Sequence, residues 1–163
     1  MIAGARIVVD DPAGPEVRAL LERHLEFTRS QTPPEYSFAL GVDGLLDPAI
    51  TVFSFRMGGS LLGMGALKRL GPDHAEIKSM HIADGARGRG IARALLTHLL
   101  DTARGRGFRR VSLETGTTAA YAPARALYES AGFVACGPFG GYQPSPHNLF
   151  MTLELPPSAP NGG

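Results

Sequence analysis

A short segment rich in glycine and arginine, RGRGIA at residues 87–92, constrains this chain more than any other stretch. It follows a strand-like run at residues 75–82 and leads into a strongly periodic helix at residues 91–103. A glycine turn between a strand and a helix directs several free backbone N–H groups at one point, where the helix dipole adds partial positive charge. Arg87 and Arg89 add two full charges. We therefore expect an α/β fold with a phosphate site at this turn, in particular a pyrophosphate site.

Three glycine loops that bind phosphate can be compared with this segment. A P-loop requires a Gly-Lys-Ser/Thr sequence, which the chain does not contain. The dinucleotide loop requires Gly-x-Gly-x-x-Gly, and Arg93 occupies its last glycine position. The pattern Arg/Gln-x-x-Gly-x-Gly/Ala is matched by Arg87, Gly90 and Ala92. For these six residues taken alone, a solvated basic turn that only caps the helix is the alternative interpretation.

Composition limits the classes of protein to consider. The chain has 163 residues, of which 44% are hydrophobic and 19% charged, and its net charge of +1 indicates neither a nucleic-acid nor a membrane partner. Cys136 is the one cysteine, so neither an internal disulfide nor a cysteine-based metal cage can form, and we expect no metal. The sequence has no apolar run long enough for a bilayer span and no signal-peptide core, so we expect a cytoplasmic protein.

The order of the predicted elements indicates the architecture. A first strand and an amphipathic helix precede three strands joined by tight turns, which predict an antiparallel meander. The helix after the glycine turn, one strand, a short helix at residues 123–131 and two closing strands follow. We predict an α/β (α+β) fold with a mixed, mostly antiparallel central sheet flanked by helices. Residues 35–46 are ambiguous, and either cover a substrate cleft or form a plain connecting loop.

A second motif is more specific than the glycine turn. Residues 126–133 read ALYESAGF, which matches the signature Leu-Tyr-x-x-x-Gly-Phe almost residue for residue. The two motifs in this order resemble the GNAT superfamily of N-acetyltransferases, in its bacterial small-molecule branch, over roughly residues 50–155. The resemblance implies one N-acetyltransferase domain at residues 1–155. It also implies direct transfer of an acetyl group from acetyl-CoA to a primary amine of a small molecule or an amino acid. Residues 156–163 are polar and rich in proline, so we expect them to form a disordered tail.

The resemblance further implies where acetyl-CoA is held. The strand at residues 75–82 and the strand at residues 110–115 would splay apart around it. Backbone groups of Met80, His81 and Ile82 would bind the pantetheine arm and polarise the thioester carbonyl. The pyrophosphate would be held by Arg87, Gly88, Arg89, Gly90, Ile91 and Ala92. Tyr121 stands where many members of the superfamily carry an asparagine that contacts the pantetheine arm, so any contribution of Tyr121 to cofactor binding has to differ.

Acetyl transfer needs an acid for the departing thiolate and a base for the amine. The resemblance implies that Tyr128 is the acid, and its alternative role is to pack its helix on the sheet. The base stays open between Glu76, Glu114, His81 and a chain of water molecules with no single base.

Strand periodicity bears on the choice of base. At a period of two residues, Glu76, Lys78 and Met80 share one face of their strand. Lys78 would then lower the pKa of Glu76, or the two would form a simple surface pair. His81 would face away from Glu76 unless a β-bulge shifts the phase of the strand.

The acceptor and the assembly are less constrained. Acidic residues in the cleft would favour a cation, whereas Lys78 would favour a carboxylate. Tyr142 and the glycine-rich stretch before it would form either one wall of the cleft or a plain hairpin connection. Dimerisation through the C-terminal strands is one option for assembly. Two other interpretations stay open: a non-catalytic acyl-CoA-binding or regulatory module on the same fold, and a nucleotide-binding module that uses residues 87–92 alone.

Overall fold

A computed structural model describes residues 3–157 of the chain. Within these residues seven strands form one sheet: β1 (Ala5–Val9), β2 (Ile50–Met57), β3 (Ser60–Arg69), β4 (His74–Ile82), β5 (Arg110–Gly116), β6 (Val134–Cys136) and β7 (Asn148–Glu154). Their order across the sheet is β1-β2-β3-β4-β5-β7-β6. All neighbouring strands are antiparallel except β4 and β5, which run parallel. The predicted meander and the mixed, mostly antiparallel sheet are therefore confirmed.

Four α-helices and two short 3₁₀ turns connect the strands in the described part of the chain. The helices are α1 (Pro15–Gln31), α2 (Val42–Leu45), α3 (Ile91–Gly105) and α4 (Ala122–Ser130), and the 3₁₀ turns are Pro34–Tyr36 and Ala119–Tyr121. The ambiguous stretch at residues 35–46 contains most of the first 3₁₀ turn and all of α2. None of the helices in residues 3–157 is both long and apolar enough to cross a membrane. The tail predicted to be disordered falls mainly on residues 158–163, which lie outside the described residues.

Helices α1 and α3 cover opposite faces of the sheet. On β3, Met64 and Ala66 pack with buried residues of α1, whereas the intervening glycine, Gly65, faces α3. A Cβ atom at Gly65 would lie 3.1 Å from Cδ1 of Leu99, so the absence of a side chain lets α3 approach the sheet closely. Leu99 is fully buried, and burial of one such side chain contributes about 1.5–3 kcal/mol.

The sheet opens between its two parallel strands. The pairing of β4 with β5 runs from His74–Arg110 to Ile77–Leu113 and extends no further among the described residues. Both strands continue past that point, β4 to Ile82 and β5 to Gly116. The two strands therefore splay apart as predicted, and within residues 3–157 the β5-facing backbone edge of β4 has no strand partner in its second half.

A β-bulge in β4 accompanies the splay. Lys78 lies opposite Ala66 of β3, and His81 lies opposite Met64. Between these two pairs β4 advances by three residues while β3 advances by two, so β4 contains one additional residue. Ser79, inside this interval, has a φ of 56°, which lies in the left-handed region that non-glycine residues seldom adopt. The additional residue reverses the alternation of side chains for the rest of β4.

The bulge corrects the prediction about which residues share a face. Met80 was expected beside Glu76, but its Sδ lies close to Gly65 on the α3 face. His81 instead contacts α1 and shares the face of Glu76 and Lys78. His81 was expected to face away from Glu76 unless a β-bulge intervened. The bulge is present and shifts the alternation by one residue, so His81 lies on the face of Glu76.

Candidate active site

The wedge between β4 and β5 opens into a cavity of about 470 Å³. Its walls come from α1, the segment after α1, the second half of β4, the glycine turn with the start of α3, the end of β5, and α4. All but one of the residues predicted for catalysis or cofactor binding line this cavity: Glu76, Met80, His81, Ile82, Arg87, Gly88, Gly90, Ile91, Ala92, Glu114, Tyr121 and Tyr128. The exception among the described residues is Arg89, whose side chain is exposed elsewhere on the turn.

The glycine turn builds one end of the cavity from backbone. Gly88 and Gly90 have φ values of 79° and 80°, a region that glycine enters at no steric cost. Gly90 caps the N-terminus of α3, and its carbonyl accepts the first bond of the helix, from the N–H of Ala94. The N–H groups of the first helical turn before Ala94 have no partner within the helix and are available to an anion.

Two arginines stand at this end. The guanidinium of Arg87 lies 3.6 Å from Asp84 in an exposed pair, and such pairs are weak enough to exchange for a bound phosphate. Arg93 also lines the cavity, and its guanidinium donates a hydrogen bond to Ser130 Oγ at 3.2 Å. Sequence reasoning missed Arg93 because the loop pattern ends at Ala92. Its position in the first turn of a helix that begins at a phosphate loop was the available signal.

At the other end of the cavity, Glu76 and Lys78 form a buried ion pair. Lys78 Nζ lies 3.2 Å from Glu76 Oε2, and the two side chains are only 7% and 2% exposed. Tyr142 completes the group, since its hydroxyl accepts from Lys78 Nζ at 2.7 Å and donates to Glu76 Oε2 at 2.9 Å. Burial, followed by the charge of Glu76, raises the pKa of Tyr142, which keeps its phenol protonated. Of the alternatives left open for Glu76 and Lys78, the pairing is therefore present, but the pair is buried and not on the surface.

Glu114 of β5 lies on the same face of the sheet as Glu76, but its hydrogen-bond partner is an uncharged amide instead of an ammonium group. Asn148 Nδ2 donates to Glu114 Oε1 at 2.8 Å and also to the carbonyl oxygen of Tyr36 at 2.9 Å. Burial raises the pKa of Glu114 to about 7, against the opposing effects of the Asn148 bond and the charge of Lys78. Sequence reasoning missed Asn148, which reaches Glu114 only because β7 pairs with β5 and places Asn148 opposite Gly116.

A pair of histidines lies between α1 and β4. Nδ1 of His24 and Nδ1 of His81 are 3.2 Å apart, so one ring donates its proton to the other. Burial is the main cause that lowers the pKa of both rings, to about 3 for His24 and about 4 for His81. Both rings are therefore neutral at neutral pH. Phe27 adds a ring 6.3 Å from His81, which extends the apolar surroundings of the pair.

The two tyrosines of the 119–128 region enter the cavity wall from different directions. Tyr128 is 6% exposed and belongs to the apolar cluster on the α3 face, where its ring lies edge-on to Phe133 at 5.8 Å. Burial and then the charge of Glu114 raise its pKa. Tyr121 lies against Gly116, where any side chain would collide with its ring, and 5.1 Å from Phe27. The packing role of Tyr128 is therefore present and Tyr128 also lines the cavity, while its role as the acid stays a prediction.

Comparison with known proteins identifies the family of this chain. A family model described as "Acetyltransferase (GNAT) family" matches residues 15–133. The chain belongs to the GNAT acetyltransferase family. It is 44% identical over 149 residues to YsnE of Bacillus subtilis, an uncharacterized N-acetyltransferase, with 91% of this chain and 99% of YsnE covered. It is 42% identical to YedL of Escherichia coli, also an uncharacterized N-acetyltransferase, with 91% and 94% covered.

Solved structures of other acyltransferases agree with the fold. A Klebsiella pneumoniae protein assigned as an acyl-CoA N-acyltransferase superposes with a TM-score of 0.76 at 27% identity, covering 93% of this chain and 97% of that one. A GNAT acetyltransferase of Elizabethkingia anophelis with acetyl-CoA bound superposes with a TM-score of 0.70 at 16% identity, covering 94% and 100%. The sequence-based assignment to GNAT acetyltransferases, and with it to the acyltransferases, is confirmed.

Proposed function

We propose that this GNAT protein is an acetyl-CoA-dependent N-acetyltransferase that transfers an acetyl group directly to a primary amine of a small molecule. One observation carries the proposal: a single cavity is lined by an anion-binding helix start, a carboxyl group with a pKa of about 7 and a buried tyrosine. The proposed domain extends from residue 1 to residue 155. The cytoplasmic location and the homodimer stay predictions.

The cavity has groups that suit acetyl-CoA, which supplies an activated acetyl thioester when bound. The backbone edge of β4 at residues 80–82 faces the wedge and is available to the amides of a pantetheine arm. The first turn of α3 and the Arg87 guanidinium offer N–H donors to a pyrophosphate, and charge-assisted bonds of this kind are worth about 1.5–3 kcal/mol each. Both groups of donors belong to the same cavity, which supports one elongated ligand rather than two separate ones.

Glu114 is the best-suited base among the three candidates. A base for an ammonium group works best with a pKa near the working pH, and burial brings Glu114 to about 7. Glu76 is engaged by the Lys78 ammonium and the Tyr142 hydroxyl, so its carboxylate is already paired. His81 has its pKa lowered to about 4 by burial, which makes its ring a weak proton acceptor. We therefore assign proton removal from the amine to Glu114.

Tyr128 is assigned the acid role. As the amine nitrogen forms the new C–N bond and the C–S bond breaks, the thiolate sulfur needs a proton, and the Tyr128 hydroxyl supplies it. The raised pKa keeps the phenol protonated at neutral pH. Tyr128 belongs to the α3 side of the sheet and Glu114 to the α1 side. The acid and the base would thus act from opposite faces of the wedge.

A thiol-release assay with acetyl-CoA and a set of primary amines tests the proposal, with thermal unfolding alongside. We expect acetyl-CoA to raise the unfolding midpoint and an amine to accelerate release of coenzyme A. At a hundredfold excess over its dissociation constant, a ligand stabilises the native state by about 2.7 kcal/mol. Stabilisation by acetyl-CoA without thiol release for any amine would identify a non-catalytic acyl-CoA-binding module. Stabilisation by ATP or NAD instead would identify a nucleotide-binding module.

A further inference from the structure

The end of the cavity at Glu76, Lys78 and Glu114, called the acceptor end from here on, differs in charge and in wall chemistry from the end at the glycine turn, the cofactor end. We propose that it selects a primary amine that carries one positive charge on a flat, largely apolar body and has no carboxylate beside the amine. This inference rests on the proposed N-acetyltransferase function and names the class of its acceptor. Three observations carry it: the compensated charge of Lys78, the isolated carboxyl group of Glu114, and two pairs of aromatic rings.

Lys78 is the one cation that lines the acceptor end in the described structure, and its charge is already compensated. Its ammonium lies 3.2 Å from Glu76 Oε2, with both side chains buried. The Tyr142 hydroxyl binds both partners and completes a closed triangle. Removing Lys78 from this pair to bind a substrate carboxylate would leave the buried charge of Glu76 unpaired, which is strongly unfavourable. Lys78 therefore does not serve as a carboxylate anchor.

The second carboxyl group at the acceptor end is that of Glu114, which does not take part in the Glu76–Lys78 pair. It is bound by an uncharged donor, Asn148, and by no cationic side chain among residues 3–157. The guanidinium groups that line the cavity, Arg87 and Arg93, stand at the glycine turn, where a pyrophosphate would engage them. With Glu76 and Lys78 cancelling, an ionised Glu114 gives the acceptor end one net negative charge. A monocation matches that charge, and a carboxylate next to the amine would be repelled by it.

Aromatic rings form the sides of the acceptor end. Phe38 lines the cavity and stacks on Tyr142, with ring centroids 4.6 Å apart and planes 26° apart. Phe27 and Tyr121 also line the cavity and lie 5.1 Å from each other. Asn148 connects Glu114 to the carbonyl of Tyr36, two residues before Phe38, so the charge and one aromatic wall belong to a single hydrogen-bonded unit. Such walls favour a flat apolar body, since ring pairs gain energy beyond that of buried area.

Matched acceptors test this inference on the wild-type protein. Thiol release is followed with 2-phenylethylamine, with phenylalanine, which differs from it by one carboxylate, and with hexylamine, which lacks the ring. We expect kcat/KM for 2-phenylethylamine to exceed that for phenylalanine by at least about tenfold. We expect it to exceed that for hexylamine by about threefold. The amino group of phenylalanine loses its proton more easily, so availability of the free amine cannot produce the first difference.

A charge variant makes the test sharper. Glu76→Gln leaves Lys78 uncompensated, and we expect the preference for 2-phenylethylamine over phenylalanine to shrink several-fold. The double variant Glu76→Gln/Lys78→Met removes both charges and is the matched control, which should keep the wild-type preference. If Glu76→Gln does not fold, the comparison of the three acceptors on the wild-type protein still tests the proposed acceptor class.

The outcomes separate the inference from the function on which it rests. Equal or better use of phenylalanine by the wild-type protein, or a polyamine as the best acceptor, would overturn the acceptor class and leave the N-acetyltransferase function standing. Binding of acetyl-CoA without transfer to any amine would overturn the function itself, and the acceptor class with it. The expected order of the three acceptors supports both.

Discussion

The two ends of the cavity are built in different ways. The proposed cofactor end is built mainly from one segment, residues 80–82, 86–88 and 90–93, which offers backbone N–H and C=O groups beside the exposed Arg87 and Arg93. The acceptor end combines groups from distant parts of the chain, for example the Lys78 ammonium with the half-buried Tyr142 hydroxyl, and the Asn148 amide with the backbone carbonyl of Tyr36. A locally built site tolerates changes of single side chains, whereas a site of interlocked buried groups depends on each of them. The contrast predicts large effects of substitution at the acceptor end and smaller ones at the cofactor end.

Glu114→Gln should give the largest effect. It removes the proposed base, and we expect turnover at neutral pH to fall by about 10²- to 10⁴-fold. In the wild-type protein, kcat/KM should rise as the pH increases through about 7, because only the ionised carboxylate accepts a proton. The pH profile of the variant should lack this rise. A profile with the same rise in both proteins would move the base to another group.

Tyr128→Phe should give the next largest effect. We expect it to lower turnover by about 10²-fold, because the thiolate loses its proton donor. Stabilisation by acetyl-CoA should be unchanged, since the ring still packs against Phe133. The measurement pairs the thiol-release rate with the unfolding midpoint at saturating acetyl-CoA. Undiminished turnover would reduce Tyr128 to its packing role.

Arg87→Ala and Arg89→Ala form a matched pair at the cofactor end. Arg87 lines the cavity and Arg89 does not. We expect KM for acetyl-CoA to rise about tenfold in the first variant and to change little in the second, with kcat nearly constant in both. Steady-state kinetics at two salt concentrations measure the effect, which should be smaller at high salt. Equal effects of the two variants would mean that the turn acts only through its bulk charge.

Asn148→Asp tests the link between the base and the acceptor wall. The substitution replaces an N–H donor with a second carboxyl group, so the pKa of Glu114 should rise further. We expect the ascending limb of the pH profile to move upward by about one pH unit, with turnover at pH 7 reduced several-fold. Thr117→Ala is the control, because Thr117 Oγ1 holds the same loop through Pro146 without touching Glu114. A shift in both variants would point to loop displacement instead.

The smallest predicted effect concerns the stability of the Glu114→Gln variant. The substitution that lowers activity should raise stability at high pH. The folded state raises the pKa of Glu114 from about 4.5 to about 7, so this group binds protons more tightly in the native state. Its contribution is therefore lost as the pH rises through 7, where a buried charge must form. Glu114→Gln should unfold at a higher temperature than wild type at pH 8, by a few degrees, and show little difference at pH 5. Calorimetry at the two pH values checks this.

Local sequence signals predicted the backbone of the glycine turn and the start of α3 well. The glycines at 88 and 90 have the positive φ values that a turn into a helix needs, and α3 begins at Ile91 as its apolar period requires. The splay of β4 from β5 came from the resemblance to the family and is present. The same local rules failed inside β4. Strict alternation assigned Met80 to the wrong face, because a bulge at Ser79 leaves no signature in composition.

The sequence by itself determined the order of the elements, the glycine turn before α3 and the family, because each depends on neighbouring residues or on a contiguous motif. Only the tertiary structure decided which of the two carboxyl groups is paired with a cation and which is bound by an uncharged amide. Lys78 neutralises Glu76, and Asn148 holds Glu114, through pairings across strands and loops that no local pattern encodes. The physical reason is that a pKa depends on burial and on nearby charges in space, and the fold alone determines both.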